Sequence, residues 1–256
     1  MSESLFSVAG HVALVTGAGK GAGAGIAKYL ARAGAAVIVN DLFAERAEEV
    51  VEEITAAGGT AVAAAFDVTD AEQVAEQVAD AEEKLGTIDI LVNNAGVPPG
   101  GGRPNQFVNM PEEDWQLQLN LNLIAFMRLV QVVLPRMIEA GWGRIIQISS
   151  GSATKGDKIG VAAYAAAKSG SEGLVRHLAV ENGQYGITVN SLALGLQEGV
   201  GRADEPMIAK AIAAIPTGRP GRPADTGAAV VWLCAEDGGQ VNGQVIHING
   251  GSHFGR

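Results

Sequence analysis

Tyr164 and Lys168 stand four residues apart in the run Tyr164-Ala165-Ala166-Ala167-Lys168. On a helix that spacing stacks a phenol and an ammonium on one face, with three alanines that do not crowd them. A free phenol titrates near pH 10, and a fixed positive charge within about 4–6 Å favours the phenolate. The chemistry on offer is therefore general acid–base catalysis at a carbon–oxygen centre. The plain alternative is an amphipathic helix on which the two residues meet by chance, so the surrounding elements must decide.

A second group of residues suits a phosphate. Gly17, Gly21 and Gly23 follow a short apolar run in the pattern G-x-x-x-G-x-G, and the strict G-x-G-x-x-G fingerprint does not fit. Glycines let the backbone approach a pyrophosphate, and a helix opening there adds free N–H groups and its positive dipole end. Asp41, 18 positions after Gly23, ends the next apolar run, where a carboxylate grips the adenosine ribose hydroxyls. A carboxylate about 4 Å from a 2′-phosphate opposes it by about 4 kcal/mol per charge pair at an effective dielectric near 20. Lys20 is the cation that would attract that phosphate, but an exposed ion pair is worth under about 1 kcal/mol. Only Leu42 and Phe43 follow Asp41 directly, so NAD is expected and NADP is disfavoured.

Strands and helices must hold these groups in place. Apolar runs at 12–16, 36–40, 61–66, 88–92, 144–148, 187–192 and 244–248 read as strands. Helical patterns at 22–33, 44–57, 71–85, 111–139, 162–184 and 224–235 alternate with them, and Pro111 with Glu112, Glu113 and Asp114 makes a typical first helical turn. Strands this apolar between helices indicate a parallel sheet covered on both faces. No linker or repeat interrupts the pattern. The expectation is a single α/β domain over residues 1–256, a doubly wound Rossmann-type sheet.

Composition narrows the partners. The net charge of −10 argues against nucleic acid, whose binding is driven by phosphate neutralisation. One cysteine, Cys234, fits a reducing compartment, and the four histidines show no metal-ligand spacing, so no metal is expected. Residues 1–7 carry Glu3 and no long apolar stretch, which reads as neither signal peptide nor membrane span. A cytoplasmic protein with no membrane partner is expected.

Together these features resemble the short-chain dehydrogenase/reductase family. The motifs are Thr16-Gly17…Gly21-Ala22-Gly23, Asp67-Val68, Asn93-Asn94-Ala95-Gly96, Asn122, Ile148-Ser149-Ser150, Tyr164…Lys168 and Asn242-Gly243-Gln244, in family order over nearly the whole chain. The resemblance implies about seven parallel strands and hydride transfer between a nicotinamide and a secondary alcohol/ketone pair. It implies Tyr164 as general acid–base, and Lys168 as the residue that lowers its pKa and binds the nicotinamide ribose. Ser150 would hydrogen-bond the substrate oxygen, and Asn122 would hold a proton-relaying water. Asp67 and Val68 would contact the adenine, with Asn94, Ala95 and Gly96 as the wall beside the cofactor ribose. It also implies a homotetramer. The Ala/Gly/Ser-rich helix at 162–179 and the long helix at 115–139 are the candidate contact surfaces.

The chain departs from the family pattern in several places. Ser150 and Tyr164 are one position further apart than usual, which leaves Ser149 and Ser152 as rivals. Leu194-Gly195 replaces the usual Pro-Gly, with Gly195 kept as a cofactor contact, and the threonine that commonly follows is absent. The loop at 97–105 is longer than usual. This loop and the segment at about 195–216 are expected to shape the substrate pocket, with a short mobile helix at 203–214 hinged at Gly199 and Gly201. A dinucleotide-binding sensor without chemistry has no use for an activated phenol, and a methyltransferase has none for Tyr-x-x-x-Lys. Epimerases and dehydratases of this type commonly carry a larger C-terminal region than the residues after 248.

Overall fold

The computed structural model describes residues 6–99, 104–156, 158–201 and 205–254. Within them lie β1 (Val12–Val15), β2 (Ala36–Asp41), β3 (Thr60–Ala65), β4 (Ile90–Asn93), β5 (Gly143–Ser150), β6 (Ile187–Leu194) and β7 (Val245–Ile248). They form one sheet in the order β3-β2-β1-β4-β5-β6-β7, every neighbouring pair parallel. The order reverses between β1 and β4, so the strand ends there open into a crevice.

Alternate strand residues point to opposite faces, and each face builds its own core. Val15, Val37, Val39, Val92 and Ile146 pack beneath α1 (Gly21–Arg32), α2 (Ala44–Ala56) and α8 (Pro223–Cys234). Leu14, Ile38, Leu91, Ile145 and Val189 pack beneath α3 (Ala71–Leu85), α5 (Ala125–Ala140) and α6 (Ala162–Asn182). The α1–α8 contact needs glycine on both sides. A Cβ on Gly25 would overlap Pro223, and one on Gly227 would stand 2.7 Å from the Tyr29 ring.

The expected helix at 111–139 is one continuous helical run, but it is not uniformly α. It comprises α4 (Glu112–Leu119), a π-helical turn Asn120–Ile124, and α5. The run Glu112–Ala140 is long and apolar enough to cross a membrane by length and composition. Phe126, Leu129, Val130, Val133 and Met137 are nonetheless spent on the sheet, which explains the hydropathy.

β5 runs through Ser149 and Ser150, and β6 through Ala193 and Leu194, each two residues beyond expectation. The reason is pairing: Ser150 stands opposite Leu194, and Leu194 opposite Ile248. The segment after β6 contains α7 (Pro206–Ala213), with Gly199 at φ +81° and Gly201 at φ +66° ahead of it. Residues 100–103 of the long loop, and Ala203 at the expected start of the short helix, lie outside the described residues, as do residues 1–5.

Candidate active site

The glycine turn links β1 to α1. Gly17 and Gly21 have φ of +60° and +56°, a region that a side chain disfavours. Gly23 is required for closeness: its Cβ would overlap the Gly17 carbonyl oxygen and stand 2.5 Å from Asn94 Nδ2. Lys20 sits at the N-cap of α1 without a side-chain capping bond, and no acidic residue occupies the first turn. The helix therefore opens with uncapped N–H groups and an unopposed positive end, which fits an anionic diphosphate. Lys20 also borders a surface cleft of ≈ 450 Å³ against Lys28, Tyr29 and Glu53, on the α1–α2 side and away from Tyr164.

Asp41 closes the mouth of this turn. Its Oδ2 accepts from Gly19 N at 3.1 Å and its Oδ1 from Phe43 N at 3.1 Å. A Cβ on Gly19 would stand 2.7 Å from Oδ2 and 2.6 Å from Arg46 Cβ. Arg46 is a basic neighbour that the residues directly after Asp41 did not reveal. Its guanidinium lies over the Phe43 ring, 4.1 Å from the centroid.

Asn94 and Ala95 lock the turn to the end of β4. Thr16 Oγ1 accepts from Asn94 N and Ala95 N at 3.0 and 3.1 Å, and Asn94 Nδ2 donates to the Thr16 and Gly17 carbonyls at 2.9 Å each. Beneath them a buried chain runs from Thr16 Oγ1 to Asn93 Oδ1 (3.3 Å), from Asn93 Nδ2 to Gln147 Oε1 (2.7 Å), and from Gln147 Nε2 to Ser171 Oγ (3.2 Å). Buried polar groups persist when paired. Gln147 alone interrupts an apolar run; Thr16 and Asn93 stand at the ends of theirs, and Ser171 lies on a helix.

Asp67 and Val68 are placed differently from one another. Asp67 Oδ1 accepts from Thr69 N and Thr69 Oγ1, both at 2.8 Å, so that oxygen organises its own turn. Val68 is buried in the core beside Phe66. Gly195 N donates to the Ile248 carbonyl at 3.1 Å, and a Cβ there would stand 2.8 Å from Asn249 Cβ.

Four residues converge between β5 and α6. Tyr164 is half-buried, with the Ser150 hydroxyl close enough to act on its phenol. Of the rival serines, Ser149 donates its hydroxyl to Glu172 Oε1 at 2.6 Å, while Ser152 offers its backbone N–H to Ser150 Oγ at 3.2 Å. The extra residue in the loop thus leaves the Ser150–Tyr164 contact intact. Lys168 is 2 % exposed and donates from Nζ to the Ile148 carbonyl at 2.7 Å. Asn122, in the π-helical turn, donates from Nδ2 to Gln118 Oε1 at 3.1 Å, and its buried Oδ1 has no partner. Gly96 separates Asn122 from Lys168. A Cβ there would stand 2.7 Å from Asn122 Oδ1 and 3.0 Å from Lys168 Nζ, so both atoms point at its backbone.

Burial is the largest influence on both members of this pair. Burial raises the Tyr164 phenol above its usual range, and the Ser150 hydrogen bond opposes this. Lys168 was expected to pull the phenol down. Its Nζ lies 5.7 Å from the ring centroid, within the range of about 4–6 Å over which a charge acts, and also donates to the Ile148 carbonyl. Lys168 itself is pulled down to about 8 by burial, with Glu172 opposing.

A family model described as enoyl-(acyl carrier protein) reductase matches residues 17–253. The chain is 38 % identical over 245 residues to 7alpha-hydroxysteroid dehydrogenase of Escherichia coli (strain K12), covering 94 % of each. Among solved structures, a 7 alpha-hydroxysteroid dehydrogenase complexed with NADH and 7-oxo glycochenodeoxycholic acid aligns with a TM-score of 0.89 at 37 % identity, covering 96 % of this chain and 95 % of that one. A gluconate 5-dehydrogenase from Burkholderia cenocepacia J2315, in complex with NADP and tartrate, aligns with a TM-score of 0.88 at 33 % identity, covering 96 % of each.

Proposed function

Since the chain belongs to the short-chain dehydrogenase/reductase family and is an oxidoreductase acting on CH–OH and C=O groups, we propose that it uses NAD(H), with Tyr164 as its general acid–base. The observation that carries this reading is the placing of Ser150 beside the Tyr164 phenol, with a buried Lys168 and Asn122 Oδ1 meeting at Gly96. When bound, the nicotinamide gives or takes the hydride. In reduction, Tyr164 Oη delivers a proton to the carbonyl oxygen while Ser150 Oγ hydrogen-bonds the same atom. In oxidation, Tyr164 takes the hydroxyl proton. Lys168 presents its ammonium beneath the reacting pair, and Asn122 Oδ1 offers the free acceptor needed to hold a relaying water.

Gly17, Gly21 and Gly23 with the open end of α1 would hold the diphosphate, and Asp41 the adenosine ribose. Lys20, Asp67, Val68, Asn94, Ala95, Gly96 and Gly195 would border the remainder of the cofactor. Asp67 and Asn94 serve through the loops they brace, since their side chains are engaged within the protein. Screening secondary alcohols and ketones at the NADH absorbance band tests the activity, and turnover with NADP(H) alone would overturn the cofactor assignment. Relatives with bound NADH and with bound NADP both exist. Asp41→Asn keeps a hydrogen-bond acceptor but removes the charge, and should lower the NAD-over-NADP ratio of kcat/KM at least about tenfold. An unchanged ratio would move the discrimination to Arg46.

We also infer a homotetramer in a cytoplasmic setting, acting on a small-molecule alcohol or ketone. Leu117, Ile124 and Met127 on the α4–α5 run and Val180 on α6 are exposed apolar side chains that a second subunit would cover. Light scattering at micromolar concentration should give a mass near four chains, and a monomer would count against it.

A further inference from the structure

Glu172 is a buried carboxylate that the reaction as described does not use. It lies on α6 one turn beyond Lys168, on the same helix face, and is 5 % exposed. Its Oε1 accepts from Ser149 Oγ at 2.6 Å, and Ser149 immediately precedes Ser150 on β5. The charged or titratable groups that act on it are Lys168 and Arg176 from α6 and His247 from β7. His247 in turn meets His253 edge to face at 4.8 Å between ring centroids. Burial raises the Glu172 carboxyl above its usual range, and the Ser149 hydrogen bond, together with the charges of His247, Arg176 and Lys168, opposes this and favours the carboxylate.

We propose that Glu172 is a positioning residue for the reaction: it supplies the buried counter-charge to Lys168 and, through Ser149, fixes the end of β5 that presents Ser150. The proposal rests on the reading of Lys168 as part of the catalytic site. Lys168 is otherwise short of compensation, because its ammonium is buried and bonds a neutral carbonyl. Burial favours the neutral amine, whereas the Glu172 carboxylate favours the ammonium. The ammonium is therefore complete well below pH 8 and is lost as the pH rises through about 8. Removing the carboxylate must move that loss to lower pH.

Glu172→Gln is isosteric, and its amide oxygen still accepts from Ser149, so the change removes charge and spares the contact. In protein labelled with ¹³C at lysine Cε, the Lys168 signal is assigned by its disappearance in Lys168→Arg. Its titration midpoint should fall by at least about one pH unit in Glu172→Gln. The alkaline limb of kcat/KM for ketone reduction should move down with it. Ser149→Ala should give a smaller shift in the same direction, because Glu172 without its hydrogen bond is more readily protonated. This second variant decides the matter should Glu172→Gln fail to fold. Midpoint and limb both unmoved, even with a lower kcat, would reduce Glu172 to a packing residue and overturn the proposal. A shifted midpoint in a protein whose wild type turns over no carbonyl would uphold the charge coupling and overturn the dehydrogenase reading instead.

Discussion

Tyr164→Phe loses at least about two orders of magnitude in kcat while NADH affinity stays within a few-fold of wild type. The loss is chemical because Phe fills the same volume and removes only the oxygen that moves the proton. The pH profile carries a second signature. Burial holds the phenol above its ordinary range, so near neutrality Tyr164 is a protonated acid, ready for reduction. Alcohol oxidation needs the phenolate and should accelerate as the pH rises toward that titration. Tyr164→Phe should abolish the acceleration along with the rate. Stopped-flow measurement of hydride transfer in both directions checks this, and retained turnover would falsify the assignment of Tyr164.

Gly23→Ala weakens NADH binding by at least about tenfold and lowers the melting temperature by several degrees. The added methyl would occupy the space of the Gly17 carbonyl oxygen, with Ala18 Cα 2.9 Å away. Backbone cannot rotate aside as a flexible side chain does, so the turn or the first turn of α1 has to move. Overpacking of this kind costs about 1–3 kcal/mol, and about 1.4 kcal/mol already corresponds to a tenfold change in affinity. Asn94 Nδ2, which bonds the Thr16 and Gly17 carbonyls, would be displaced in the same step. Gly21→Ala is the informative control. No atom lies within 4 Å of its Cβ position, so its cost is confined to the φ of +56°. Fluorescence titration of NADH against both variants separates crowding from backbone strain. Equal affinities for Gly23→Ala and wild type would remove the close-approach argument.

The parallel sheet was legible because strand and helix announce themselves by period and by punctuation. Gly34, Gly58 and Gly86 each take a positive φ beside a helix end that the sequence marked. Strand ends were less legible. Ser149, Ser150 and Leu194 are paired across β5 and β6, and pairing is a property of two segments that neither reveals alone. Tyr164 and Lys168 were found from their spacing, yet their electrostatics were not. Proximity along a helix does not say where an ammonium is aimed, and here a carbonyl on β5 claims it. Thr16, Asn93, Gln147 and Ser171 form a network that joins β1, β4 and β5 to α6, so no single stretch of sequence displays it. Glu172 lies in the helical pattern at 162–184 with no sequence neighbour that marks it. Only the packing of α6 against β5 and β6 distinguishes it from the solvated glutamates of α2.

The π-helical turn at Asn120–Ile124 limits how this enzyme can change in length. A π turn holds one residue more than the α turn it replaces, and one residue corresponds to about 100° of rotation about the helix axis. Deleting a single residue there would straighten the rod, and either Asn122 would swing away from Gly96 or Phe126 and Leu129 would turn off the sheet. The stretch is thus pinned at both ends, whereas the loop after Ser150 has absorbed an extra residue with Ser150 still beside Tyr164. Insertions that alter substrate choice have room in the loops beyond β4, β5 and β6, and none along this helix.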